Sequence, residues 1–106
     1  MSSGFGLVVR FELRDAEAAA EFDALVAQTA EGIKKHEPGT LAYVVHTVPD
    51  EPNVRVFYEL YADRTAFEAH EEQPHTRYFL TEREQYLTGL DVTFLEAQAG
   101  KGPMPA

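Results

Sequence analysis

The chain contains no cysteine. Disulfides, thiolate nucleophiles and Cys-ligated zinc or iron–sulfur sites are therefore excluded. Positive charge is scarce: nine Lys and Arg stand against eighteen Asp and Glu, a formal net charge of −9. Phosphate-rich partners need a basic surface, so neither nucleic acid nor an anionic membrane is expected as a partner. No apolar run approaches the roughly 18 residues that a membrane span needs. Met1-Ser2-Ser3-Gly4 shows no basic region followed by an apolar one. No signal peptide is expected, and a cytoplasmic protein is. Also missing are a Gly-rich phosphate loop, a GxSxG elbow and a flavin or nicotinamide fingerprint.

What is present is enough for one domain and not two: 106 residues, 44% of them hydrophobic, with seven Phe and five Tyr. A single domain over 1–106 is expected, ordered from about 5 to 97, with a flexible Gly/Pro-rich tail over 98–106. There is no internal repeat and no linker.

Phe5, Leu7, Val9, Phe11 and Leu13 alternate with Val8, Arg10 and Glu12, which predicts a strand with one buried face. Asp15 offers a cap to a helix over 16–36, whose stripe is Ala18, Phe22, Leu25, Thr29 and Ile33. Gly32 weakens its last turns and Pro38-Gly39 stops it. Residues 41–48 and 54–62 are rich in β-branched and aromatic types and read as strands. The short loop 49–53 between them makes an antiparallel hairpin. Asp63 caps a short helix to about Glu71, and Pro74 suits the first turn of another over 74–87. Gly89 ends that helix, and residues 90–97 alternate as a last strand. The order β-α-β-β-α-β predicts an α+β, ferredoxin-like fold: an antiparallel sheet with helices on one face. Val56, Tyr58 and Leu60 leave the second sheet face partly apolar, which a second copy of the chain would cover, with Tyr58 in the interface.

Glu37-Pro38-Gly39 with Tyr43 four residues on, Phe57, Glu59-Leu60-Tyr61, Ala66-Phe67, and His70 with Pro74-His75 form a pattern that resembles the antibiotic biosynthesis monooxygenase domain family, including small quinol monooxygenases. The resemblance spans residues 5–97. It implies a homodimeric α+β barrel with a cleft in each subunit between sheet and helices. It also implies oxidation of a small hydroxylated aromatic or quinol-type substrate by molecular oxygen, with no cofactor. Two departures narrow the branch. There is no Trp, and Asn53 is the only Asn. The haem-degrading members and the polyketide-anthrone oxygenases, which lean on Asn and Trp, match poorly.

An oxygenase of this kind needs a base to make an electron-rich phenolate or carbanion. Histidine is the side chain that exchanges a proton near neutrality, so His70 and His75 are the candidate catalytic residues, the alternative being a brace for the helix break at Pro74. Their spacing of five, interrupted by proline, is not the i, i+4 spacing of two ligands on one helix face, so no metal site is expected. Glu59 shares a strand face with Phe57 and Tyr61. A carboxylate there needs a partner or takes a raised pKa, and Arg10 is the partner expected. Tyr43, Tyr61, Tyr78 and Phe79 can shape a slot for a flat ring, with Glu59 and Arg10 completing the substrate-binding set; aromatics at such spacings also serve as ordinary core. Glu68, Glu71 and Glu72 read as a solvated face. Two other uses of the cleft stay open: isomerisation of a small carbonyl compound by the same base, and ligand binding by a dimer without chemistry. A cleft dominated by Arg and His favours the isomerase, one lined by Tyr and Phe the oxygenase.

Overall fold

The computed structural model describes residues 4–103. The leader-free start expected at Met1–Ser3, and the last three residues of the expected tail, lie outside the described residues.

Strand β1 (Phe5–Leu13) leads into helix α1 (Ala16–His36), the hairpin of β2 (Thr40–Val48) and β3 (Glu51–Tyr61), helices α2 (Arg64–Glu72) and α3 (Pro74–Glu82), and β4 (Leu87–Glu96). The four strands form one sheet in the order β2-β3-β1-β4, and each neighbouring pair is antiparallel. This is the ferredoxin-like arrangement that the element order implies. Among the described residues no helix is long and apolar enough to cross a membrane.

The local signals act as their chemistry requires. Asp15 Oδ1 accepts from Ala18 N–H and Asp63 Oδ1 from Ala66 N–H, both at 2.8 Å, so each helix start has an orphan donor satisfied. Pro74 occupies the first turn of α3, where it removes no helical hydrogen bond. The predicted stripe of α1 is buried throughout, from Ala18 to Ile33. Its Phe22 meets Phe11 of β1, Phe57 of β3 and Phe79 of α3, with ring centroids 5.1, 5.9 and 5.8 Å apart. These four rings are the centre of the core, at spacings where tilted aromatic pairs attract beyond their area burial.

Three boundaries differ from the sequence reading. The turn between β2 and β3 is only Pro49-Asp50, with Asp50 at φ 68°, a left-handed conformation that Asp tolerates. The last helix stops at Glu82, followed by a 3₁₀ turn over Arg83–Gln85. Gly89 does not end a helix but lies inside β4 opposite Glu12, because β4 pairs along β1 as far as Leu13 and the Arg14 N–H bonds to the Tyr86 carbonyl at 2.9 Å. The ladder outweighs the weak helical pattern there.

The helices cover the β1–β3 part of the inner face and leave β4 open. Leu90, Val92 and Phe94 point to that face, yet Phe94 is 60% exposed.

Candidate active site

Between the sheet and α2–α3 lies a cavity of about 140 Å³. Its sheet side is Leu7, Val9, Phe57 and Glu59, its helix side His70, Thr76 and Phe79, and Val92 and Phe94 stand at its margin on the uncovered strand.

His70 occupies the last turn of α2, next to the break at Gln73-Pro74, and is 6% exposed. The break turns α3 back so that His75, in its first turn, approaches the C-terminus of α1. There Glu37 caps α1, its N–H bonding to the Ile33 carbonyl, and its carboxylate points inward. Glu37 Oε1 accepts from His70 Nδ1–H and from the Thr40 hydroxyl, each at 2.7 Å. Glu37 Oε2 accepts from His75 Nε2–H. Burial pushes the Glu37 carboxyl up, but the hydrogen bonds from His70, Thr40 and His75 outweigh it and hold the group below its ordinary range. A carboxylate has nothing to donate, so His70 carries its proton on Nδ1. In the neutral ring the lone pair is then on Nε2.

That Nε2 lies 3.9 Å from Glu59 Oε1, beyond hydrogen-bond reach. Glu59 is buried in the cavity wall and takes one hydrogen bond, from the Tyr61 hydroxyl at 2.5 Å. Here burial prevails over the Tyr61 hydrogen bond and the nearby positive charges, so the Glu59 carboxyl is raised. Burial and the Glu59 charge likewise raise the Tyr61 and Tyr43 hydroxyls, so both rings stay neutral donors.

The predicted residues thus separate. His70, Tyr43, Glu59 and Phe79 line the cavity. Tyr61 is fully buried behind Glu59 and reaches the cavity only through that carboxylate. His75 shares Glu37 but faces a different, outer cleft beside His36. Tyr78 is half exposed and lies away from the cavity. Arg10 is not the partner of Glu59. Strand alternation places it on the opposite sheet face, across from Val56, where it pairs with Glu51 at 2.9 Å.

The cation at the cavity is instead Arg83, which the sequence reading passed over. Its Nε is buried without a hydrogen-bond partner, and its guanidinium sits 5.6 and 5.7 Å from the centroids of Phe11 and Phe79. Burial lowers its proton affinity. Its position four residues after Phe79 was the available signal, since i and i+4 share a helix face. The orientation of Glu37 had no such signal. Among the described residues no three His, Asp or Glu side chains converge as a metal-ligand group.

Comparison with known proteins agrees with this architecture. The chain is similar in structure to a Caulobacter crescentus protein assigned to the antibiotic biosynthesis monooxygenases, with 24% identity over 92% of each chain and a TM-score of 0.86. A Mycobacterium tuberculosis protein is 25% identical over 93% of this chain and 98% of its own, with a TM-score of 0.81. SnoaB, a cofactor-independent oxygenase from Streptomyces nogalater, is 23% identical over 93% of this chain and 97% of its own, with a TM-score of 0.79. No curated protein matches the chain. The family description "Antibiotic biosynthesis monooxygenase" matches residues 4–82, from the first strand through the helices that carry His70 and His75 to the end of α3, so the chain belongs to the antibiotic biosynthesis monooxygenase family.

Proposed function

We propose that the chain is a cofactor-independent monooxygenase acting on a small hydroxylated aromatic or quinol. The observation that carries this reading is His70 Nε2, set free by the Nδ1–Glu37 hydrogen bond and opening on an aromatic-lined cavity. His70 takes the hydroxyl proton, and the ring becomes electron-rich enough to react with molecular oxygen. One oxygen atom enters the ring as a new carbonyl and the other leaves as water, the substrate itself supplying all the electrons. Arg83, whose Nε has no hydrogen-bond partner and whose neighbouring carboxylate, Glu84, stands off at 3.8 Å, holds the substrate oxygen as charge develops. Tyr43 and Phe79 flank the ring. Glu59, with Tyr61 behind it, faces the same space and binds a second hydroxyl. The cavity volume is close to the roughly 150 Å³ that accommodates benzene in an apolar protein interior, which fits a one-ring core, and the margin at Val92 and Phe94 leaves room for a second ring.

Oxygen-electrode measurements with hydroquinones, dihydroxynaphthalenes and anthrones test the reading. Uptake is expected above the no-enzyme rate and falls by roughly 10²–10⁴ in H70Q, the usual contribution of a positioned base. Uptake at the background rate across the panel defeats it. The dominance of Phe, Tyr and aliphatic groups in the lining favours this reaction over carbonyl isomerisation, and the presence of a cavity favours it over a purely structural role.

The same reading includes a homodimer. In place of the outer-face contact through Tyr58 expected from the sequence, Leu90, Val92 and Phe94 expose an apolar strip on the cavity side of β4, and a second copy laid over it would seal the cavity margin. Light scattering should give a dimer mass for the parent protein and a monomer for F94E; a monomeric parent rules the pairing out.

A further inference from the structure

His70 and His75 bond to opposite oxygens of one carboxylate, yet they face different spaces. His70 lines the inner cavity, and His75 lines an outer cleft of about 380 Å³ formed with Gly32, His36, Gln73 and Pro74. The His75 ring is held there from two sides. A Cβ on Gly32 would fall 2.5 Å from His75 Cγ, so only glycine leaves the space that the ring occupies. The His36 ring stacks on the other side, 6.3 Å away and tilted by 21°. Nothing in the reaction proposed above requires such a ring at that place.

We infer that Glu37 makes His70 and His75 one proton-exchanging unit, in which His75 is a positioning residue that sets the basicity of His70 and exchanges a proton with solvent while His70 holds the one taken from the substrate. The inference rests on the oxidation proposed above. Glu37 has one negative charge and neutralises one imidazolium. A proton gained at His70 Nε2 from the substrate hydroxyl is opposed while His75 is charged, and its arrival favours loss of the His75 Nδ1 proton to water. The O–H bond of the substrate breaks, an N–H bond forms on His70, and an N–H bond breaks on His75; when the second oxygen atom leaves as water it takes the His70 proton, and His75 regains one from solvent, so the cycle releases no net proton. Glu37 stays a carboxylate that accepts from both rings. The exchange leaves the charge of the unit unchanged and needs no water inside the cavity. The other groups facing His70 are Glu59 at 3.9 Å, the rings of Tyr43 and Tyr61, and the Thr76 hydroxyl, with Arg83 and Glu71 on the same cavity. His75 faces Glu37 and His36. The His36 ring adds a second exchangeable group at the point of exit.

NMR titration of the imidazole protons tests the unit in the parent protein and in H75Q, whose amide can still donate to Glu37 without carrying charge. In the parent, His70 and His75 are expected to titrate interdependently, each in more than one step. In H75Q the His70 curve becomes a single step displaced upward by about one pK unit, because a like charge has been removed. The acid-side limb of the oxygen-uptake profile, where His70 must lose its proton to act as base, moves to higher pH by the same amount. Independent single-step curves in the parent overturn the inference, whether or not H75Q folds, as does a His70 curve unmoved by H75Q. Oxygen uptake with independent curves sinks the coupling and leaves the reaction standing. Coupled curves without oxygen uptake uphold the unit and sink the reaction.

Discussion

Glu37 receives donors on both oxygens, from His70, Thr40 and His75, whereas Glu59 receives one, from Tyr61. Both carboxyls are buried and both lie within 4 Å of the same imidazole. The first is held in its charged form and the second is pushed towards its neutral form. Burial is the largest single influence on each, so burial alone does not decide the state of a carboxylate. The number of aimed donors does. Functionally, the well-supplied carboxylate orients a base, and the undersupplied one is left for a ligand.

The sharpest way to break this comparison is to remove the satisfied carboxylate. E37A leaves two imidazoles and the Thr40 hydroxyl without their acceptor and should cost about 3 kcal/mol at neutral pH, measured by urea denaturation. The deficit should narrow in acid. A carboxyl lowered in the folded state contributes stability above its ordinary value of 4.5, and that contribution is lost as pH falls through the folded value. An E37A protein as stable as the parent would show that the three hydrogen bonds bring no net gain.

G32A attacks the same network from outside. The added methyl overlaps His75 and should cost about 1–3 kcal/mol in strain, more than the roughly 1 kcal/mol that Ala gains over Gly in a helix. A rise in melting temperature would mean that the ring moves aside freely.

The smallest effect has the opposite sign. E59Q should stabilise the fold by about 1 kcal/mol at pH 7, since it removes a charge that burial disfavours while keeping an acceptor for Tyr61. For a carboxyl raised in the folded state, the stability contribution is full below 4.5 and is lost as pH climbs through the folded value, so the advantage of E59Q should vanish in acid. The same variant should weaken substrate binding in the uptake assay. Destabilisation by E59Q at pH 7 would contradict the raised Glu59.

Much of the fold was legible in the chain because its signals are local. The alternation from Phe5 to Leu13, the caps at Asp15 and Asp63 and the proline at 74 each act within a few residues. The misreadings fall where a ladder overrides local preference, as at Gly89, which β1 draws into the sheet. In the site, His70 and Glu59 were visible as polar groups among aromatics on predicted elements. Arg10 is on a neighbouring strand but on the other sheet face, whereas the cavity's cation arrives from the 3₁₀ turn after α3, which strand alternation does not reveal.

The sequence by itself determined the order of the elements, their caps and which face of each strand is apolar, because these depend on periodicity and on hydrogen bonds between near neighbours. Only the tertiary structure decided that one carboxylate would hold two histidines, 33 and 38 residues further along the chain, and that they would open on separate spaces. That convergence depends on how closely α3 packs against α1. The packing is set by a glycine whose missing side chain has no meaning until the second helix lies against it.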